Sequence, residues 1–109
     1  MDTPLISQDK LESALEYLAH TDSDYANEKA KLERSEILRK RVRARIFLTS
    51  DGTVAERQAK AEVAPESEQA DDDYCKTVAV FETLKARRER AEIVVRVWQS
   101  LESTRRTKL

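Results

Sequence analysis

The densest group of side chains that could contact another molecule is a run of bases between residues 39 and 45. Its basic members are Arg39, Lys40, Arg41, Arg43 and Arg45. Clustered Lys and Arg side chains bind phosphates, so this run is the first candidate for nucleic-acid contact. The competing interpretation is neutralisation by the acids of residues 66–73. Because side chains diverge around a helix, we expect two or three of these bases to point to solvent.

A second basic group lies near the end of the chain, where no acidic block stands opposite it. Its members are Arg105, Arg106 and Lys108. We expect this group to be the most available phosphate-binding element. Trp98, Tyr74 and Phe81 could stack on single-stranded bases, which bind aromatic rings. Their spacing along one helical face favours core packing instead.

The side chains of the sequence do not suggest an active site. The sequence holds one His, one Cys and one Gly, which is too few for a nucleophile triad, a zinc site of usual spacing or a phosphate-binding loop. The run Asp71-Asp72-Asp73 resembles a metal site, but adjacent helical side chains diverge by about 100° and cannot converge on one ion. The sequence predicts no enzyme, no cofactor and no metal site.

The composition is typical of long helices. Charged residues make up 38% of the chain, the formal net charge is −1, and there are one Gly and two Pro. Many charges with few turn formers indicate long helices or coiled coils. A single Cys excludes an internal disulfide, and no secretory signal or apolar span is visible. We therefore expect a cytoplasmic protein that does not bind a membrane.

Residues 66–106 contain neither Gly nor Pro and carry one apolar stripe. The stripe consists of Ala70, Tyr74, Thr77, Phe81, Leu84, Arg88, Ala91, Val95, Trp98 and Leu101. Alternating steps of three and four place these residues on one side of a helix roughly 60 Å long. Ile93, Val94 and Val97 widen the stripe beyond what one partner helix covers, which predicts self-association or a stable protein complex. The expected interface residues are Phe81, Leu84, Val94, Val95, Trp98 and Leu101.

The rest of the chain predicts further helices within one domain over residues 1–109. The expected helices are 8–19, 22–48, 53–62 and 65–106. The break near residues 20–23 rests on a Thr-Asp-Ser-Asp run, whose side chains favour helix N-caps. Gly52 suits a left-handed helix C-cap, and Thr53 with Glu56 matches a capping box. Pro65 suits the first turn of the long helix.

Charge alternates along the chain in four blocks. The net charge is −5 over residues 1–36, +5 over 37–48, −6 over 49–74 and +5 over 75–109. Folding the second helix back on the long helix sets opposite blocks side by side, with Arg41 near Asp73 and Tyr25 near Glu89. Complementary flanks of this kind fix pairing in coiled coils, within or between chains. Arg88, which lies on the stripe, should pair with Glu28 or Glu33. The fold prediction is all-α: a long, coiled-coil-like antiparallel helical hairpin with a short N-terminal helix and a short helix in the elbow.

Three segments carry a resemblance to a known family. They are Gly52-Thr-Val-Ala-Glu-Arg-Gln-Ala-Lys-Ala61, Phe81-Glu-Thr-Leu-Lys-Ala-Arg-Arg-Glu-Arg-Ala91 and Trp98-Gln-Ser-Leu-Glu-Ser-Thr-Arg-Arg106. Over residues 9–106 the chain resembles small phage-encoded helical proteins whose genes lie near phage recombination and replication genes. The resemblance implies a phage or prophage origin and an accessory role, and it transfers no catalytic or ligand residue. By analogy of fold type alone, the chain is also similar to phage recombination mediators, helical oligomers that load a recombinase on single-stranded DNA.

The functional expectation combines these observations. It is a non-enzymatic phage accessory protein, in the cytoplasm of a bacterial host, that forms a homo-oligomer and binds DNA in recombination or replication, with single-stranded DNA as the expected form. The alternative is a helical adaptor, or an inhibitor of a host protein, that binds a phage or host protein by helix-in-groove contact and does not bind nucleic acid. A structural virion component would be helical and oligomeric too.

Overall fold

The computed structural model describes residues 6–107. It contains α1 (Gln8–Thr49), α2 (Val54–Val63) and α3 (Pro65–Thr107), and no strand among the described residues. The predicted all-α helical hairpin, with a short helix in its elbow, is confirmed.

The predicted short N-terminal helix and the break near residues 20–23 are wrong, because α1 is one helix from Gln8 to Thr49. Two polar side chains at the expected break bond to the preceding turn instead. The Thr21 hydroxyl donates to the carbonyl of Tyr17 at 2.7 Å, and His20 Nδ1 lies 2.8 Å from the carbonyl oxygen of Glu16. Such back-bonding lets Thr and His remain inside a helix.

The chain divides into two compact units. The elbow unit comprises Asn27–Glu82, which includes α2 and the adjoining parts of α1 and α3. The terminal unit comprises residues 6–26 and 83–107 of the described chain.

The elbow follows part of the predicted turn chemistry, since Gly52 has a positive φ but lies three residues beyond the end of α1 and not at its C-cap. Gly52 has a φ of 115°, a value that residues with a Cβ rarely adopt. It lies just before the N-cap residue of α2. The Thr53 hydroxyl accepts from the amide of Glu56 at 3.2 Å, which is one of the two bonds of a capping box; the return bond from the Thr53 amide to the Glu56 carboxylate does not form among the described residues. Ala64 is extended ahead of Pro65, so α3 begins at the proline as predicted.

α2 is held against the C-terminal end of α1, whose last carbonyls lack helical partners. Arg57 Nε donates to the carbonyl of Phe47 at 2.9 Å, and its guanidinium lies 4.3 Å from the centre of the Phe47 ring. Lys60 Nζ donates to the carbonyl of Asp51 at 2.7 Å. Both cations also complement the negative end of the α1 dipole.

The predicted stripe of α3 is confirmed from Ala70 to Trp98, since each of its residues is buried or half-buried. It extends one step earlier than predicted, to Ser67, which is fully buried. At the other end Leu101 is 41% exposed and Glu102 is half-buried in its place. A strict seven-residue repeat from Ser67 arrives at Glu102, which explains the departure.

Few apolar side chains are buried among the described residues. They are Ala61 and Phe81 in the elbow unit and Ala14 and Ala91 in the terminal unit. In the described part of the chain, no helix combines the length and the apolar character needed to cross a membrane.

Candidate interaction surfaces

One side of the elbow unit is closed by ion pairs centred on Asp71. Arg43 donates from Nη1 to Oδ1 at 2.8 Å and from Nη2 to Oδ2 at 2.5 Å. Arg39 Nε adds a bond to Oδ1 at 3.1 Å. Arg43 Nε also donates to Glu62 of α2 at 3.0 Å. A two-pronged Arg–carboxylate contact is the strong form of this interaction, so Arg39 and Arg43 are occupied within the chain.

The protonation of Asp71 reflects these contacts. The hydrogen bonds from Arg43 are the main cause that lowers the pKa of Asp71 to about 2, against a smaller opposing effect of desolvation. The same hydrogen bond raises the pKa of Arg43 above its usual value, with a further contribution from Glu62. Asp71 is therefore a carboxylate throughout the physiological range.

The predicted antiparallel register of the elbow unit is confirmed within about one residue. The Arg39 guanidinium lies 4.4 Å from the centre of the Tyr74 ring, and Arg43 pairs with Asp71. Fewer acids pair with the basic run than predicted. Among the described residues, Asp71 is the one acid of residues 66–73 that does so.

The other bases of the run point away from these acids, as the helical geometry predicts. Lys40 pairs only with Glu36 on its own helix, at 3.7 Å, and its side chain is 76% exposed. Arg41 and Arg45 are exposed and bond to no residue between 6 and 107 through their side chains. They share one face of α1 with Arg34, Leu38 and Leu48, which recur at steps of three and four.

An open groove of about 500 Å³ runs between α1 and α3 in the elbow unit. It is lined by Ser35, Leu38, Val42, Pro65, Glu66, Gln69, Ala70 and Asp73. Its floor is apolar, and the acidic residues stand on its α3 edge. This groove lies on a different flank of the helix pair from the contacts of Asp71, because its lining excludes both Asp71 and its arginines.

Arg88 anchors the terminal unit. Its Nη1 donates to the carbonyl of Leu18 at 2.9 Å and to the hydroxyl of Thr21 at 2.6 Å, and its Nη2 donates to Asp22 at 2.6 Å. Its guanidinium also lies 5.2 Å from the centre of the Tyr25 ring. A carbonyl, a hydroxyl and a carboxylate thus accept from one guanidinium, which has more N–H donors than a single carboxylate can accept from.

The partners predicted for Arg88 were wrong. Glu28 pairs with Lys31 on its own helix at 3.2 Å, and Glu33 is exposed. Asp22, the expected start of a new helix, instead lies within α1 and forms the ion pair with Arg88.

The C-terminal turns of α3 form a cleft of about 330 Å³. Its described lining is Trp98, Gln99, Glu102, Ser103, Arg106 and Thr107. Trp98 is half-buried, so part of its ring faces solvent next to the cleft. Arg105 pairs with Glu102 at 3.5 Å on the same helix, whereas Arg106 is exposed without a partner among the described residues. Lys108, the third predicted base, lies outside the described residues.

The residues predicted to form an oligomer interface fall into different environments. Phe81 is buried, Leu84, Val94 and Val95 are half-buried, and Leu101 is exposed. Phe81 is therefore part of the chain's own core, and the remaining side chains keep surface that a partner could cover.

Two residues with structural roles, Ser67 and Arg57, are not predicted from the sequence. The side chain of Ser67 is buried, and its hydroxyl has no hydrogen-bond partner among the described residues. Counting the stripe back one further heptad from Tyr74 would have found it. No local pattern pointed to Arg57, because its target is a carbonyl of another helix.

In residues 6–107, no group of His, Cys, Asp and Glu side chains is placed to hold a metal ion. The three carboxylates at 71–73 diverge: Asp71 faces α1, while Asp73 accepts from Gln69 at 2.9 Å along its own helix.

Comparison of the chain with protein-family models, curated proteins and solved structures found no match.

Proposed function

We propose that the chain is a non-enzymatic accessory protein that self-associates and binds single-stranded DNA. The observation that carries the DNA-binding part is the juxtaposition of a partly exposed Trp98 with Arg106 in one open cleft. In keeping with the resemblance to phage-encoded helical proteins, we place it in the cytoplasm of a bacterial host, in recombination or replication.

Self-association is supported by the apolar surface that the chain leaves in water. The exposed large apolar side chains are Leu15, Ile37, Leu38, Leu48, Val54, Val63, Val80, Ile93 and Leu101. Removing such surface from water contributes about 25 cal/mol per Å² to association, against which the lost freedom of the partners must be set. The small core of each unit makes this gain important, because helices of this length depend on packing for their stability.

Single-stranded DNA fits the end of α3 for two reasons. A base can stack on the exposed part of the Trp98 ring, and such stacking is worth about 1–3 kcal/mol per base. Arg106, with Arg105 beside it, can contact the phosphates that flank the base. Duplex DNA keeps its bases stacked on each other and would gain only the phosphate contacts.

Fluorescence anisotropy of a labelled single-stranded oligonucleotide, measured over a range of salt concentrations, tests this proposal. We expect Trp98→Ala and Arg106→Gln each to weaken binding, and Trp98→Phe to retain most of it because the ring face remains. Arg90→Gln is the matched control, since Arg90 is an exposed arginine of α3 without a partner among the described residues. Equal losses for Arg106→Gln and Arg90→Gln would contradict a specific site.

The second candidate function is a protein adaptor or an inhibitor of a host or phage protein, which binds no nucleic acid. The apolar groove of the elbow unit favours it, together with a net charge of −1. An oligonucleotide that fails to bind even at low salt, while self-association persists, would favour this function over DNA binding.

A further inference from the structure

We propose that the groove between α1 and α3 of the elbow unit is covered by the same groove of a second copy of the chain. The two copies are related by a twofold axis parallel to the helices, so that α1 of each copy lies on α3 of the other. The inference rests on the proposed self-association and specifies its surface and symmetry.

The two flanks of the elbow unit differ in what closes them. Asp71 and its arginines cover one flank with ion pairs. The groove flank has no such pair among its lining residues, and its apolar floor includes Leu38, which is 43% exposed. An open apolar floor beside a closed polar flank is where a further helix can pack.

The two edges of the groove carry opposite charges. On the face of α1 beside the groove stand Arg34, Arg41 and Arg45, with no acid among the face residues between 34 and 48. On the corresponding face of α3 stand Glu66 and Asp73. Lys76 is the one base on that α3 face, and the register places it opposite the apolar Ile37 and Leu38.

These edge charges lack partners on the other helix of their own chain. Arg41, Arg45 and Glu66 bond to no described residue through their side chains. Asp73 accepts only from the neutral amide of Gln69 on its own helix. The face therefore presents a basic edge and an acidic edge that are both available to a partner.

The symmetry follows from the charges. A twofold axis along the helices keeps each residue at the same height along the helix pair. Arg41 of one copy therefore lies level with Asp73 of the other copy. Arg45 lies about one helical turn nearer than Arg41 to the level of Glu66. Because the interface is isologous, each such contact forms twice. An axis across the helices would instead place α1 on α1 and set arginines against arginines, which is unfavourable. The favoured arrangement is a four-helix packing around one apolar centre.

The inference assigns Arg41 and Arg45 to the second copy and Arg39 and Arg43 to the chain itself. The 39–45 run then contributes little to DNA binding, contrary to the first candidate from the sequence. The end of α3 keeps that role in the proposed function.

Charge reversal followed by mixing tests the inference. One variant combines Arg41→Glu with Arg45→Glu, and the other combines Glu66→Lys with Asp73→Lys. Each variant alone would set like charges across the interface, so we expect its self-association to weaken at least about tenfold. A mixture of the two restores opposite charges at both edges, and we expect it to regain dimers of wild-type strength, seen by sedimentation velocity.

The matched control combines Arg87→Glu with Arg90→Glu, two exposed bases of α3 away from the groove, so that it lowers the net charge by as much as Arg41→Glu with Arg45→Glu. Circular dichroism of every variant shows whether its helices form. A mixture that stays monomeric, or variants that associate like the wild type, would overturn the assignment of the groove. A wild-type chain that is monomeric at every concentration would instead refute self-association itself.

Single-stranded DNA is the other occupant that the arginines could take. If Arg41→Glu with Arg45→Glu abolishes oligonucleotide binding but leaves association intact, the basic edge belongs to DNA and the inference is wrong. Loss of association, with oligonucleotide binding reduced no more than in the control variant that combines Arg87→Glu with Arg90→Glu, supports it.

Discussion

Arg43 and Asp71 join α1 to α3 through two parallel hydrogen bonds, of 2.8 and 2.5 Å, with Arg39 on the same carboxylate. Both side chains are partly accessible to solvent, at 22% and 34%. The pair fixes the relative height of the two helices in the elbow unit, since a guanidinium fork matches a carboxylate in one geometry. The same pair makes the folded state sensitive to acid.

Acid should destabilise the fold through Asp71. An unfolded Asp has a pKa of about 3.9, whereas in the folded chain the pKa of Asp71 is about 2. The unfolded state thus binds the proton more readily, so protonation favours unfolding. The stabilisation is complete above the unfolded pKa and is lost as the pH falls from about 4 to about 2. Urea unfolding at a series of pH values measures this change.

Asp71→Asn should remove that part of the pH dependence and lower stability at neutral pH. Asp72→Asn is the matched control, because Asp72 is exposed and makes no bond with a described side chain. A variant Asp71→Asn whose stability falls with acid as steeply as that of the wild type would show that other carboxylates carry the effect.

Arg88 should contribute to stability out of proportion to other arginines of α3. Its side chain is 14% exposed and it donates to a carbonyl, a hydroxyl and a carboxylate. We expect Arg88→Ala to lower the free energy of unfolding by about 1–3 kcal/mol, the range for losing hydrogen bonds of a charged group. Arg88→Lys should recover only part of this, because an ammonium lacks the planar fork.

Thermal and urea unfolding of both variants measures the loss. Arg90→Ala, at an exposed position two residues away, should change stability by less than about 0.5 kcal/mol. Comparable effects at the two positions would mean that the Arg88 contacts add nothing beyond helix propensity.

Gly52 should tolerate no side chain. Its φ of 115° lies outside the range of ordinary residues, and a Cβ there would meet the Glu56 carboxylate oxygen at 2.5 Å. We expect Gly52→Ala to destabilise the chain by at least about 1–2 kcal/mol from the backbone alone. Urea unfolding gives the value. Adding Glu56→Ala removes the contact with the carboxylate, but it keeps the Cβ of residue 56 at 3.2 Å and the backbone strain. The double variant, compared with Glu56→Ala alone, should therefore recover only part of the loss.

Features that depend on the local sequence could be predicted, whereas features that depend on contacts between helices could not. The α3 stripe and the turn at Gly52 and Thr53 were predictable, because helical period and capping chemistry are local. The continuity of α1 was not, since Thr21 can cap a new helix or bond to the preceding turn with similar local energy. The choice of Asp71 among the three consecutive aspartates depends on which side chain faces α1.

The candidate sites divide in the same way. The sequence predicted that some of the 39–45 bases would face solvent, and it named Trp98 and Arg106. It did not reveal that these two share a cleft, because the position of Trp98 on the α3 stripe is equally compatible with core packing. The open groove depends on which flank the ion pairs close, and that follows from side-chain conformations rather than from spacing.

Ser67 offers a stabilising substitution. It is fully buried on the α3 stripe, and its hydroxyl has no hydrogen-bond partner among the described residues. Burying a hydroxyl without a partner costs about 1–3 kcal/mol relative to an apolar group. We expect Ser67→Ala to leave the fold intact and to raise its free energy of unfolding by up to about 1 kcal/mol, less than the full penalty because removal of the oxygen leaves a small void. Ser35→Ala is the contrast, since the hydroxyl of Ser35 donates to the carbonyl of Leu32 at 2.8 Å and its loss should not stabilise. Urea unfolding of the two variants compares them directly, and destabilisation by Ser67→Ala would show that this hydroxyl is satisfied in solution, for instance by a bound water.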